Sequence, residues 1–270
     1  MVAIFNGRAF AAKKEEELNA RVSRLVGNGV KPKLASILVG DDPASKLYVG
    51  LKKKKGEEIG VGVEVFSFGT NAGKDELISK IKELNSDETF GGIMIQLPLP
   101  GELQSHKDEI LSTISPDKDV DGLRDDSQFL HPTSKAVVEI LNEARDIVRL
   151  PLKETPLKVT VVGASGMVGK PLVKELKVEG YQVTECDTKT TNLSQKTLQA
   201  DILISATGIP GIVTSEMVKP GAIVIDVGSP KGDVDSSISQ IAGFMTPVPG
   251  GIGPVTITCL LENLIQKYEN

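Results

Sequence analysis

The sequence predicts an α/β protein of two domains, and three observations support this. Short apolar runs of strand length alternate with helical patterns along most of the chain. A glycine-rich turn, Val161 to Pro171, stands where one such run passes into a helical pattern. The length of 270 residues allows two domains, at about 100–200 residues each. Alternation of this kind marks βαβ units and a parallel sheet covered on both faces.

Taken in order, Leu34–Val39 reads as a buried strand that ends at Gly40. Val61–Phe68 alternates like a second strand, and Gly92–Leu97 is a third. Helical patterns lie between them at Ser45–Ile59 and Asp75–Leu84. Asp121-Gly122 closes this run of units. Thr133–Ala144 follows as a connecting helix with Val137, Val138, Ile140 and Leu141 apolar, and Pro151 and Pro156 bracket an irregular link. The scheme then repeats with strands at Lys158–Val162, Gln182–Cys186, Asp201–Ala206 and Ala222–Val227. Pro247 to Pro254 is too rich in Gly and Pro to be an element, and suits the wall of a cleft. The last helix, Thr256–Lys267, carries Ile257, Leu260, Leu261, Leu264 and Ile265, a stripe at helical spacing that has to be buried.

Composition narrows the function classes. With 40% hydrophobic and 25% charged residues the chain is an ordinary globular one. No apolar stretch is long enough to span a bilayer, and the start lacks the apolar segment of a signal peptide, so a cytoplasmic location without membrane contact is expected. A net charge of −5 argues against a nucleic-acid partner, which needs a basic face. Cys186 and Cys259 have no metal-type spacing, and His106 and His131 are too few for a His-rich zinc site, so no metal is expected.

In the glycine-rich segment, Gly163 permits a tight turn, and small Ala164 and Ser165 let backbone N–H groups approach a pyrophosphate at a helix N-terminus. Gly169 allows close packing of helix on sheet. The spacing is G-x-x-G-x-x-G rather than the dinucleotide fingerprint, and a plain packing turn is the competing explanation. Asp187, at the end of the next strand, stands where an acid bonds ribose hydroxyls in dinucleotide sites; otherwise it is a turn aspartate. Thr207 and Gly208 follow a further strand, at the end where a parallel sheet holds its ligands.

Tyr48 and Lys52 are four apart and share a helix face. An amine lowered in pKa by clustered like charges and partial burial works as an acid/base near neutrality. Of the lysines at 52–55, Lys52 and marginally Lys55 point with Tyr48, and the others are solvated. Gln96 closes a strand before Pro98-Leu99-Pro100, where an amide can hold another side chain. Asp121 lies in a tight turn and can accept N–H donors from a heterocycle; taken alone, each also fits a simple turn residue.

These pieces resemble one family, the methylenetetrahydrofolate dehydrogenase/methenyltetrahydrofolate cyclohydrolases. The matching segments are ASKLYVGLKKKKGEEIGV, GGIMIQLPLP, PDKDVDG, VVGASGMVGKP, ISATGIP, KPGAIVIDVG and TPVPGGIGPVT, in the family's order. The resemblance implies oxidation of 5,10-methylenetetrahydrofolate with NADP (NAD as the alternative), followed by hydrolysis to 10-formyltetrahydrofolate. It implies Lys52 as catalytic lysine, Tyr48 as the ring stacked on folate, Gln96 as the amide orienting the lysine, and Asp121 as the acid that grips the pterin. Leu97 and Pro249, Gly250, Gly251, Ile252 and Gly253 then belong to the folate side, and Gly163, Ala164, Ser165, Asp187, Thr188, Thr207, Gly208 and Ser229 to the cofactor side. The expected architecture is an N-terminal folate-binding catalytic domain (1–132 with 255–270), a Rossmann-type dinucleotide-binding domain (133–254), a last helix returning to the first domain, and a homodimer. The chain departs from the pattern after Gly122, where the segment Leu123–Thr133 is shorter than usual, at Ser229, where a larger apolar residue is common, and at three further places. The common Pro-Cys-Thr-Pro-x-Gly stands as His131 to Ala136, the usual Cys-His-Ser as Cys186-Asp187-Thr188, and the basic residue of many members is Ala164. A rival two-domain oxidoreductase of the shikimate-dehydrogenase type would not require Tyr48, Gln96 and Asp121 together, and a nucleotide-sensing module would not need them intact.

Overall fold

A computed structural model of the chain describes residues 2–148 and 156–269. The elements in chain order are β1 (Ala3–Ile4), α1 (Gly7–Gly27), β2 (Lys33–Val39), α2 (Pro43–Glu58), β3 (Gly62–Phe68), α3 (Lys74–Ser86), β4 (Gly92–Ile95), α4 (Lys107–Ser112), α5 (Pro132–Val148), β5 (Lys158–Val162), α6 (Gly169–Val178), β6 (Gln182–Cys186), α7 (Leu193–Thr197), β7 (Ile202–Ser205), β8 (Ile223–Asp226), β9 (Phe244–Met245) and α8 (Ile252–Glu269). They form two compact units, Ala12–Pro132 with Ile257–Asn270, and Met1–Ala11 with Thr133–Thr256.

The first unit is built on a parallel sheet of order β3-β2-β4. Successive side chains of β2 and β4 enter different cores, as the alternation of a strand requires. Leu34 and Met94 join a cluster with Leu18, Val22 and Leu25 of α1 and with Ile257, Leu260, Leu261, Leu264 and Ile265 of α8. Ala35, Ile37, Val39, Ile93 and Ile95 join the opposite cluster with Leu77, Ile81 and Leu84 of α3. The stripe on the last helix is thus a core face. Its polar side is tied to α1 by Lys14–Glu262 (2.8 Å) and Arg21–Glu262 (3.1 Å), and Lys267 meets Asp117 at 2.7 Å. Behind α3, Lys118 is only 8% exposed, and its ammonium donates to the carbonyls of Leu84, Asn85 and Asp87 (2.8–3.0 Å). It thereby satisfies acceptors at a helix end that no further turn can reach.

The second unit holds a parallel sheet of order β1-β9-β8-β7-β5-β6. From β5 the chain moves to β6 on one side and then to β7 on the other. The strand order therefore reverses at β5/β7, where doubly wound sheets take their ligands. Strands β7 and β8 are buried along their whole length, as a sheet covered on both faces demands.

Several boundaries differ from the sequence expectation. Residues 1–11 fall in the second unit, because Ala3 and Ile4 pair with Phe244 and Met245. Helix α8 begins at Ile252, so Ile252, Gly253 and Pro254 are helical; proline is tolerated there because first-turn N–H groups need no helical partner. Strand β4 stops at Ile95, although Gln96 N still donates to Ile37 O at 2.9 Å. The link near Pro151 lies outside the described residues. Among those residues, no helix is long and apolar enough to cross a membrane, and no group of three or more His, Cys, Asp or Glu is placed to hold a metal.

Candidate functional site

Helix α2 is started by Asp42, whose carboxylate accepts Ser45 N at 2.7 Å, and by Pro43 in the first turn. One turn apart on it stand Tyr48, 37% exposed, and half-buried Lys52. The other lysines of the run have acidic partners: Lys53 with Glu57, Lys54 with Glu58, and Lys55 with Glu15 and Glu58. Lys52 instead donates to Gln96 Oε1 at 3.1 Å, and Gln96 Nε2 donates to Leu97 O at 2.8 Å. That second bond fixes the amide so that its oxygen faces the lysine. Burial pushes the Lys52 ammonium below the usual lysine range, and the Asp121 carboxylate pulls it partly back. The expected contribution of clustered like charges is not among the causes, because Glu residues partner the neighbouring lysines.

Asp121 sits in a turn that its neighbours build. Asp119 is fully buried and accepts Leu123 N (3.3 Å) and Arg124 N (2.9 Å). Gly122 has φ +60°, and a Cβ there would lie 2.6 Å from His131 N. Asn263 of α8 donates to Val120 O and Leu130 O, both at 2.9 Å, and so clamps the strands of chain on either side of the turn. Lys52, Gln96 and Asp121 are therefore brought together within one unit.

In the other unit, Gly163 has φ +85°, and a Cβ there would overlap the Ala206 carbonyl. A Cβ on Gly169 would overlap Gly163 O, so both glycines are needed where α6 packs on the β5/β7 strand ends. Ser165 and Gly166 are exposed, Ala164 is buried, and α6 begins without a side-chain cap. In its first turn Lys170 N already donates to Gly166 O at 2.9 Å and Pro171 has no N–H, so what suits this turn to a dinucleotide is the close backbone approach that Gly163, Ala164 and Gly169 permit. Asp187 and Thr188 are exposed. The Asp187 carboxylate turns back into its own loop, accepting Lys189 N at 2.8 Å. Ser229 is exposed beyond β8. Pro249 to Gly251 form the turn before α8, where Gly250 has φ +97° and a Cβ on Gly251 would lie 2.5 Å from Pro247 O.

Sequence reasoning missed Asp233. It is fully buried, and one of its oxygens accepts from Ser205 Oγ (2.9 Å), Thr207 N (2.7 Å), Thr207 Oγ1 (2.9 Å) and Gly208 N (3.3 Å). It thus shapes the turn that holds two predicted cofactor residues. Asp226 in turn accepts Asp233 N at 3.0 Å and Val234 N at 3.0 Å; burial pushes its carboxyl up while these donors pull it down. The signal was Gly-Asp-Val-Asp at 232–235, two acids beside glycine, which reads equally as a solvated turn.

The chain is similar to known proteins over nearly its full length. The family model for the catalytic domain of tetrahydrofolate dehydrogenase/cyclohydrolase matches residues 5–121, and that for its NAD(P)-binding domain matches residues 131–270. The bifunctional protein FolD of Halalkalibacterium halodurans is 42% identical over 279 residues, covering 97% of each chain. The crystal structure of the bifunctional FolD methylenetetrahydrofolate dehydrogenase/cyclohydrolase from Campylobacter jejuni is similar at 37% identity and TM-score 0.92, covering 100% of this chain and 99% of that one. The Trypanosoma brucei enzyme, complexed with NADP cofactor and inhibitor, is 31% identical with TM-score 0.90, covering 99% and 97%.

Proposed function

The chain belongs to the tetrahydrofolate dehydrogenase/cyclohydrolase family, and from that premise we propose how its own residues divide the work. The protein oxidises 5,10-methylenetetrahydrofolate to the methenyl form with NADP and hydrolyses that product to 10-formyltetrahydrofolate. NADP, when bound, supplies the hydride acceptor.

In our reading Tyr48 covers the folate ring system, and Asp121 accepts its N–H groups in charge-assisted bonds. In hydrolysis, Lys52, deprotonated more readily than an ordinary lysine, takes a proton from the water that attacks the methenyl carbon. The resulting ammonium returns a proton to the ring nitrogen as its bond to that carbon breaks, and the remaining hydroxyl proton leaves as the formyl group forms. Gln96 is a positioning residue, holding Nζ through its fixed amide. On the folate side we add Leu97 and Pro249 to Gly253. We assign the dinucleotide to Gly163, Ala164, Ser165, Thr188, Thr207, Gly208 and Ser229, with Lys189 as a positive charge near the ribose. The turned-back Asp187 supports NADP over NAD, since one carboxylate oxygen is engaged within its own loop.

The unit of Ala12–Pro132 with Ile257–Asn270 is, on this reading, the folate-binding catalytic domain, and the other is the dinucleotide-binding domain. A homodimer follows from the family resemblance. A cytoplasmic setting accords with Cys186 and Cys259, both buried thiols. The observation that carries the assignment of roles is the Lys52–Gln96 bond beside Asp121. An absorbance assay with methylenetetrahydrofolate and each nicotinamide cofactor, followed for the methenyl intermediate, tests it. Turnover with NADP and decay of the intermediate are expected in the parent, and a long-lived intermediate in Lys52→Met. Unchanged decay in that variant refutes the role of Lys52.

A further inference from the structure

His131 occupies a place that the folate reading above leaves unused. The side chain belongs to a residue only 7% exposed, and its Nδ1 is buried with no hydrogen-bond partner among the described residues. A buried polar atom without a partner costs free energy, and a fold keeps one where something else needs it. Its neighbourhood is specific. The His131 backbone lies against Gly122, the residue after Asp121, and Asn263 ties Leu130 to Val120 across the same turn. Burial pushes the imidazole below the usual histidine range, toward the neutral form, while the Asp121 carboxylate pulls it partly back and Lys52 pushes it further down. A neutral imidazole has one nitrogen that donates and one that accepts, so Nδ1 can pair with an N–H or a carbonyl oxygen according to tautomer. It also adds no positive charge beside a cationic methenyl folate.

We propose that His131 is a folate-contacting residue, with Nδ1 pairing with the polar rim of the heterocycle that Asp121 grips; the inference rests on the folate reading of this site. The substrate then supplies the hydrogen bond the fold withholds. The same placement separates a binding role from a structural one. If His131 serves only the core, removing its nitrogens costs stability. If it serves the substrate, removal relieves an unpaired buried atom and weakens folate binding instead.

The test uses the full-length protein with His131→Phe, which keeps a ring and loses both nitrogens, and His131→Asn, which returns a polar atom near the Nδ1 position. Tetrahydrofolate and NADP dissociation constants and the thermal midpoint are measured for each. In the Phe variant, tetrahydrofolate binding about tenfold weaker, NADP binding within about twofold, and a midpoint no lower than the parent's are expected. The Asn variant should recover folate binding to within about threefold. Tetrahydrofolate binding within about twofold of the parent in the Phe variant overturns the proposal. So does a parallel loss of folate binding, NADP binding and midpoint in both variants. Failure of the parent itself to bind tetrahydrofolate overturns the folate reading, and this proposal with it.

Discussion

At the scale of single residues, the chemistry turns on how differently four adjacent lysines are treated. Lys53, Lys54 and Lys55 are paired with acids, whereas Lys52 is held by a neutral amide in a half-buried place. Lys52→Met keeps most of the stem and removes the proton carrier. Cyclohydrolase activity should fall by about 10²-fold or more, with NADP affinity retained; a smaller loss in a folded variant removes the lysine from the mechanism. Asp121→Ala should weaken tetrahydrofolate binding far more than NADP binding, and titration of both ligands distinguishes this from a turn defect, which would weaken neither or both. Tyr48, Lys52, Gln96 and Asp121 were legible because each lies in a short motif whose residue types match one chemistry. Asp233 was not, since the groups it bonds lie 25–28 positions away and no local pattern announces a bond across that separation.

Elements show the same division between local and distant causes. Strands β5 and β6 have the bounds read from the sequence, because the β-branched run Val159–Val162 in one and Val183-Thr184 between Gly180 and Asp187 in the other leave little choice. Strands β1 and β9 have two residues each and exist through pairing with distant strands, β1 with β9 and β9 with β8, so no periodicity could reveal them. Helix α1 was missed for a different reason: its first half is rich in charge, and its stripe of Leu18, Val22 and Leu25 is confined to the second half, where it meets α8. Two predictions belong here. Lys118→Met leaves three carbonyls behind α3 without their donor and should cost about 1–3 kcal/mol in denaturant unfolding, the scale of a buried polar group left unpaired. Gly163→Ala forces a side chain into a left-handed turn and against the Ala206 carbonyl. NADP binding should be lost while tetrahydrofolate binding persists, and calorimetric titration with each ligand would expose an error if both affinities survived.

For the molecule as a whole, pH dependence of stability follows from opposing sets of acids. Asp117, hydrogen-bonded to Lys267, and Glu269, hydrogen-bonded to Arg21, are both held below the ordinary carboxylate range. A depressed folded-state pKa adds stability that is complete above the unfolded value, about 4, and is lost as pH falls through the folded one. Asp119 and Asp226 act the other way, since burial raises them and protonation relieves their cost. The thermal midpoint should therefore begin to fall only below about pH 4, and less in Lys267→Met than in the parent; equal slopes for the two proteins would dismiss the Asp117 pair. The discontinuity of both units has a separate consequence, for synthesis on the ribosome. Strand β1 emerges early but cannot dock until β9 has been translated, and one face of the sheet β3-β2-β4 lacks part of its cover, beside α1, until α8 has been made. Neither core can close while its partner segment is still untranslated. The nascent chain thus carries open apolar surface for nearly the whole of translation, and a chaperone that shields such surface has its longest window on this chain before residue 257 leaves the exit tunnel.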